Sequence, residues 1–140
     1  MNKTLVAIAV SAVLAAPAAA YAENDVMFGG GIGVASAAGV SVTGFTLGVQ
    51  MKLTDSGAVA LDYAEGDLFS GTYRGYINNY ADGVFWEAGI LTGGGATAGL
   101  VGAGYDIAQS KNIVFRVRGG AIFDSAGTAF AAAITANYVP

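Results

Sequence analysis

The chain contains no histidine and no cysteine, and only 11% of its 140 residues are charged. Each shortage excludes a class of chemistry. Without histidine there is no side chain of ordinary pKa suited to act as a general base near neutrality, which removes Ser-His and Asp-His catalysis. Without cysteine there is no disulfide framework and no lipid-modified N-terminal cysteine. Zinc loses its usual ligands, and no Asp-rich calcium loop replaces them. Lys52 and Lys111 lie in or beside turns, so a Ser-Lys site has no placed lysine. The stretches "GGGIGVAS" (29–36) and "GAGYDIA" (102–108) brush against a nucleotide-binding glycine pattern but open no helix in a βαβ unit, and no Gly-Lys-Ser/Thr triplet is present. The reading is a protein with no catalytic residues, no cofactor and no metal.

The low charge also speaks of location. Soluble domains carry about 25% charged residues, whereas this chain has 11% against 54% apolar. A formal charge of −4 with no basic patch excludes a nucleic-acid partner. Residues 1–22 read as a secretory signal peptide: Lys3 in a short n-region, the apolar run "LVAIAVSAVLAA", and Ala20-Tyr21-Ala22 as a cleavage pattern. Cleavage after Ala22 leaves residues 23–140 as one domain and, with Lys3 gone, moves the formal charge from −4 to −5. A secreted chain with so few charges points to a membrane.

Only helices and closed barrels span a bilayer, because every backbone polar group must be satisfied internally. Residues 26–51 and 88–105 are uncharged and long enough for helices, but glycine and β-branched residues are dense in them. Elsewhere the chain runs in segments of about ten alternating residues separated by turn residues, the pattern of a transmembrane barrel. Turns fall at 38–39, 55–57, 65–67, 82–83, 93–95, 109–112 and 124–127. They divide the chain into strands at 26–37, 40–53, 58–66, 69–80, 84–92, 96–108, 113–123 and 128–139. The predicted fold is all-β: an eight-stranded antiparallel up-and-down transmembrane β-barrel with short loops.

Charge decides which face meets lipid. In "IVFRVRGGAIF" (113–123), Arg116 and Arg118 share one face, and Ile113, Phe115, Val117 and Phe123 share the other. An arginine facing lipid at the midplane costs about 2–4 kcal/mol, so both arginines point into the lumen. The same parity turns Lys52, Asp62, Arg74 and Glu87 inward. Asp62, Glu87 and Arg116 are expected at one height, pairing with Arg118, with Arg74 somewhat higher. These six residues form the predicted structural charge network, because an unpaired charge in so narrow a lumen is costly.

The last strand, "TAFAAAITANYVP" (128–140), must pair with the first so that no edge stays open. Its Phe130, Ile134 and Tyr138 face outward and are similar to the C-terminal signal by which outer-membrane barrels are recognised for assembly. The whole pattern from Val26 to Val139 resembles the OmpA/OmpX-type eight-stranded barrels of Gram-negative outer membranes. That resemblance implies an outer-membrane location, contact with outer-membrane lipid and the barrel-assembly machinery, and an N-terminus in the periplasm. The outward Trp86, Tyr105, Phe115 and Tyr138 would then form a periplasmic aromatic girdle. The loops are far shorter than is usual in that family, and the eight predicted strands leave nothing of residues 23–140 for a second, periplasmic domain.

The leading functional expectation is a small, monomeric integral barrel with a structural or envelope role and a side-chain-filled lumen. The alternatives are a narrow, porin-like pore for ions or small solutes, and a soluble periplasmic ligand-binding barrel. The last requires the Leu47/Val49/Met51 face to point inward.

Overall fold

A computed structural model describes residues 26–37 and 39–140. The predicted signal peptide, residues 1–22, and its predicted cleavage site lie outside the described residues. Eight antiparallel strands follow one another around a closed barrel. They are β1 (Val26–Ala37), β2 (Val40–Lys52), β3 (Gly57–Ala64), β4 (Leu68–Tyr76), β5 (Gly83–Gly93), β6 (Ala96–Ala108), β7 (Ile113–Asp124) and β8 (Gly127–Tyr138). The two uncharged stretches considered as helices are strands β1–β2 and β5–β6. Every neighbour in the chain is a neighbour in the sheet, and β8 returns to β1 with Ile32 opposite Ile134 and Phe28 opposite Tyr138.

The alternation sorts the side chains as the charges require. Ile32, Phe130 and Ile134 are about two-thirds exposed on the outer wall. Leu47 and Met51 also face out, while Gln50 between them is buried. The arrangement needed by a soluble binding barrel, with that face inside, is therefore not the one adopted.

Turn chemistry fixes the hairpins. Gly94 and Gly95 form the two-residue link between the paired Gly93 and Ala96, with φ of 58° and 79°. Positive φ at both central positions is what the tight turn matching strand twist demands.

The fourth strand is shorter than its alternation predicts, ending at Tyr76 rather than running to residue 80. Asn78 and Asn79 bring turn chemistry that overrides the pattern, and Asn79 bridges to Asp82 instead. The resulting loop closes down on the barrel end. Tyr80 donates its backbone N–H to the Asp55 carbonyl at 2.8 Å, and its ring meets Tyr76 edge-on at 5.8 Å. Ala81 packs on a small apolar cluster of Met27, Val114 and Val139. Val139, beyond the end of β8, thus turns inward and joins the plug at this end of the barrel.

Two inward glycines mark where neighbouring backbones come closest. A Cβ at Gly31 would strike the Ile134 carbonyl, and one at Gly89 would strike the Gly71 carbonyl. At Gly71 a Cβ would meet open space. Gly31→Val should destabilise the barrel by at least ~1–3 kcal/mol, the usual cost of overpacking. Gly71→Ala should be neutral or stabilising by up to ~1 kcal/mol through the unfolded chain. Urea unfolding of the protein in lipid vesicles measures both, and equal effects would refute the close approach at Gly31.

Candidate functional site

The lumen is built in layers, and the residues that fill it come from alternate positions of every strand. Above the apolar plug lies a first polar layer. Asp106 and Arg116 are directly opposite on β6 and β7, and the arginine grips both carboxylate oxygens, Nε to Oδ1 at 2.7 Å and Nη2 to Oδ2 at 2.8 Å. This two-point geometry is the strong form of the ion pair. Tyr76 completes the layer: its hydroxyl donates to Asp106 Oδ2 at 2.7 Å and accepts from Arg116 Nη2 at 3.0 Å.

Phe85 fills the next level and is fully buried. Its ring lies between two guanidinium groups, 5.1 Å from that of Arg116 and 5.7 Å from that of Arg74. The negative face of an aromatic ring favours such neighbours, more so away from water.

A second charged layer sits above Phe85. Arg74, 1% exposed, spends its donors on three partners: Nε on Glu87 at 2.8 Å, Nη2 on Asp62 at 2.7 Å and Nη1 on the Gln50 carbonyl at 2.8 Å. Arg118 reaches the same two carboxylates through Nη1, at 3.0 Å to Asp62 and 3.4 Å to Glu87. Gln50 joins the layers, accepting from Arg74 and donating to the Tyr76 hydroxyl at 3.0 Å. Three arginines and three carboxylates therefore balance within one connected network.

Glycine makes this density possible. Phe85 and Arg118 both face Gly104 across the sheet, Glu87 faces Gly102, and Asp62 faces Gly48. A Cβ at Gly48 would overlap the Asp62 carboxylate, and one at Gly104 the Phe85 ring. Large inward side chains thus occupy the volume that the opposed residue leaves empty.

The structure brings five of the six expected network residues together and rearranges them. Arg116 does not share a level with Asp62 and Glu87; it sits one layer nearer the termini, with Asp106. Arg74 lies below Asp62 rather than above it, opposite Ala58 while Asp62 is opposite Ser70. Lys52 is outside the network: it pairs with the exposed Asp55 at 3.3 Å in the β2–β3 connection. Asp106, Tyr76 and Gln50 belong to the network but not to the six residues predicted for it, although parity already turns Gln50 and Tyr76 inward. Parity carried a signal for Asp106, since its neighbour Tyr105 faces out. The outward Trp86, Tyr105, Phe115 and Tyr138 are all about half exposed on the wall, and Tyr73 stacks on Trp86 at 5.5 Å.

Above the second layer the filling stops. A gap among the layers, lined by Gln50, Asp62, Arg74, Arg116 and Arg118, measures about 10 Å³, about enough for one water. At the end carrying Gly66, by contrast, lies an open cavity of about 400 Å³ with Asp62, Glu87 and Arg118 at its floor.

Removing single members should rank them. Arg74→Leu leaves Arg118 alone, at its longer distances, against two buried carboxylates and should cost ~3–5 kcal/mol. Arg118→Leu should cost less, because Arg74 keeps the shorter bond to each acid and Arg118 is the less buried of the two arginines, and Lys52→Leu should cost under ~1 kcal/mol as a solvent-screened pair. Urea unfolding in vesicles checks the order; an Arg74→Leu barrel as stable as the Lys52 variant would break the network argument.

No protein-family model matches the chain, and no curated protein sequence is significantly similar to it. Solved structures are similar in fold. The N-terminal β-barrel domain of Pseudomonas aeruginosa OprF superposes with a TM-score of 0.66 at 14% identity, over 84% of this chain and 98% of that domain. Ail, the attachment invasion locus protein of Yersinia pestis, gives 0.57 at 14% identity, over 84% and 99%. A de novo designed transmembrane β-barrel gives 0.57 at 16%, over 84% and 96%. At such identities the likeness is one of fold alone, and in fold this chain resembles the OmpA/OmpX-type small outer-membrane barrels.

Proposed function

We propose that this protein is a small integral barrel of the Gram-negative outer membrane, acting as a structural element of the envelope with its lumen sealed on the terminal side. The observation that carries this reading is the pairing of an apolar outer wall with a charge network inside in which every arginine and carboxylate has an ion-pair partner. An apolar wall closed on itself satisfies the bilayer's demand for paired backbone groups. A lumen filled by ion pairs leaves no aqueous path at an eight-strand diameter.

The secretory pattern of residues 1–22 supports export, with cleavage near Ala22. The outward Phe130, Ile134 and Tyr138 of β8 support delivery through the barrel-assembly machinery. Trp86, Tyr105, Phe115 and Tyr138 lie toward the end carrying both termini, in keeping with an aromatic girdle at the periplasmic interface. The short connections leave little surface for a large partner, and the protein acts as a monomer among outer-membrane lipids. Without histidine, and with its buried acids already paired to arginines, it is not an enzyme and takes no cofactor.

Two measurements test this. The protein should fractionate with outer membranes and change gel mobility on boiling, as a closed detergent-resistant barrel does. Reconstituted in planar bilayers it should show no conductance above background; steady single-channel steps would replace the sealed barrel with a narrow pore.

A further inference from the structure

The two ends of the lumen differ in kind. The terminal half is packed with polar side chains. In the other half the inward positions carry Ala35, Leu91, Leu100, Gly120, Ala131 and Ala133, with Ser70 of β4 a polar exception, so most of the strands there are apolar on both faces. The outer face needs apolar residues for lipid. The inner face has no such need, and small apolar residues leave it both unfilled and poorly wetted.

The floor of this space is polar and incompletely engaged. Arg118 gives its hydrogen bonds through Nη1 alone. Asp62 and Glu87 accept through Oδ2 and Oε2, leaving one oxygen each outside those bonds. Thr46, which also lines the cavity, holds a buried hydroxyl with no hydrogen-bond partner. The floor therefore offers donors and acceptors together, and with Arg74 directly beneath it two arginines balance the two carboxylates; Glu65, in the β3–β4 connection and bound to the Phe45 N–H, also borders the cavity.

We infer that this half of the barrel is a binding cup for a small uncharged amphiphile, an aliphatic body with a hydroxyl- or amide-like head. A concave apolar wall with a few convergent polar groups is the usual form of a small-molecule site. The head both gives and takes hydrogen bonds at Arg118, Asp62 and Thr46, and the chain lies against Leu91, Leu100 and the alanines of β8. An anionic or cationic head would add an unbalanced charge to a floor already neutral. Taking a water's share as ~30 Å³, the cavity of about 400 Å³ holds a molecule of roughly ten non-hydrogen atoms. The cup is blind because of the sealed layers below, a point that rests on the proposed sealed lumen. Binding itself does not depend on the seal, and conductance and titration report the two separately.

The test is an NMR titration of the full folded barrel in micelles, with alanine methyls labelled and 1-octanol as probe. Inward methyls of Ala35, Ala131 and Ala133 should shift and saturate, whereas the outward methyls of Ala88 and Ala103 should follow only the unsaturable partition into micelles. Octane and octanoate should bind more weakly than octanol. Ala131→Leu, which fills the cup, should weaken binding by at least ~10-fold, the scale of an overpacked apolar site. Thr46→Val, which removes a hydroxyl at nearly constant volume, should lower octanol affinity and leave octane unchanged. Inward and outward methyls moving together without saturation would overturn the cup. Octanoate binding as tightly as octanol would overturn the uncharged head.

Discussion

Closure of the sheet between β1 and β8 is the constraint on which everything else in this molecule depends. In hydrocarbon each unsatisfied backbone group costs several kcal/mol, so an eight-stranded sheet either joins its edges or does not belong there. Once Phe28 stands opposite Tyr138 and Ile32 opposite Ile134, each strand has one face in lipid and one in a narrow interior. That division fixes the fate of every charge in the strands. The arginines and carboxylates have no exit, and the lumen must be built around them.

The interior meets this demand through pairing in two senses. Electrically, each guanidinium has carboxylates within hydrogen-bond reach, and Gln50 and Tyr76 tie the two charged layers into one network. Sterically, long inward side chains lie opposite glycines, as Asp62 does with Gly48 and Phe85 with Gly104. The many glycines of this sequence are thus the complement of its few large interior residues. A buried ion pair by itself is weak evidence of stability, since desolvation offsets its attraction. Here the relevant comparison is with the same charge stranded, and against that the network is strongly favourable.

Much of this was legible in the sequence, and the boundary of legibility has a physical cause. Turn residues and period-two alternation are local, so strand number, parity and the closing role of residues 128–138 could be read directly. Height within the barrel is not local. It depends on how far each strand slides against the next, and only the register places Arg116 beside Asp106 instead of Asp62. The same ignorance put Arg74 above Asp62 and admitted Lys52 to a network it does not reach. Asn78 and Asn79 show the opposite failure, a local turn signal overlooked because alternation continued through it. The apolar cup was hidden for a further reason. Where both faces of a strand are apolar, alternation cannot say which side is lipid and which is lumen.

That ambiguity is itself informative about the molecule. A barrel of this width can be filled by side chains along its whole length, and the terminal half shows that this chain does so when large residues are present. In the other half, Ala131 and Ala133 of β8 stand opposite Gly120 and Arg118 of β7, and across the closing seam they face Ala35 and Gly33 of β1. At the level of Ala131 three adjacent strands thus present small residues inward, where a leucine or phenylalanine on any one of them would occupy the space. Strand number does not account for it, because the same eight strands enclose Phe85 and Tyr76 in the terminal half. Closure does not account for it either, since the seam residues further down include Asn137 and Met27, both buried. Lower down, the inward glycines lie opposite large side chains that fill their space; directly above Arg118 and Asp62 small residues face small ones, so the open volume begins where the unengaged polar atoms are.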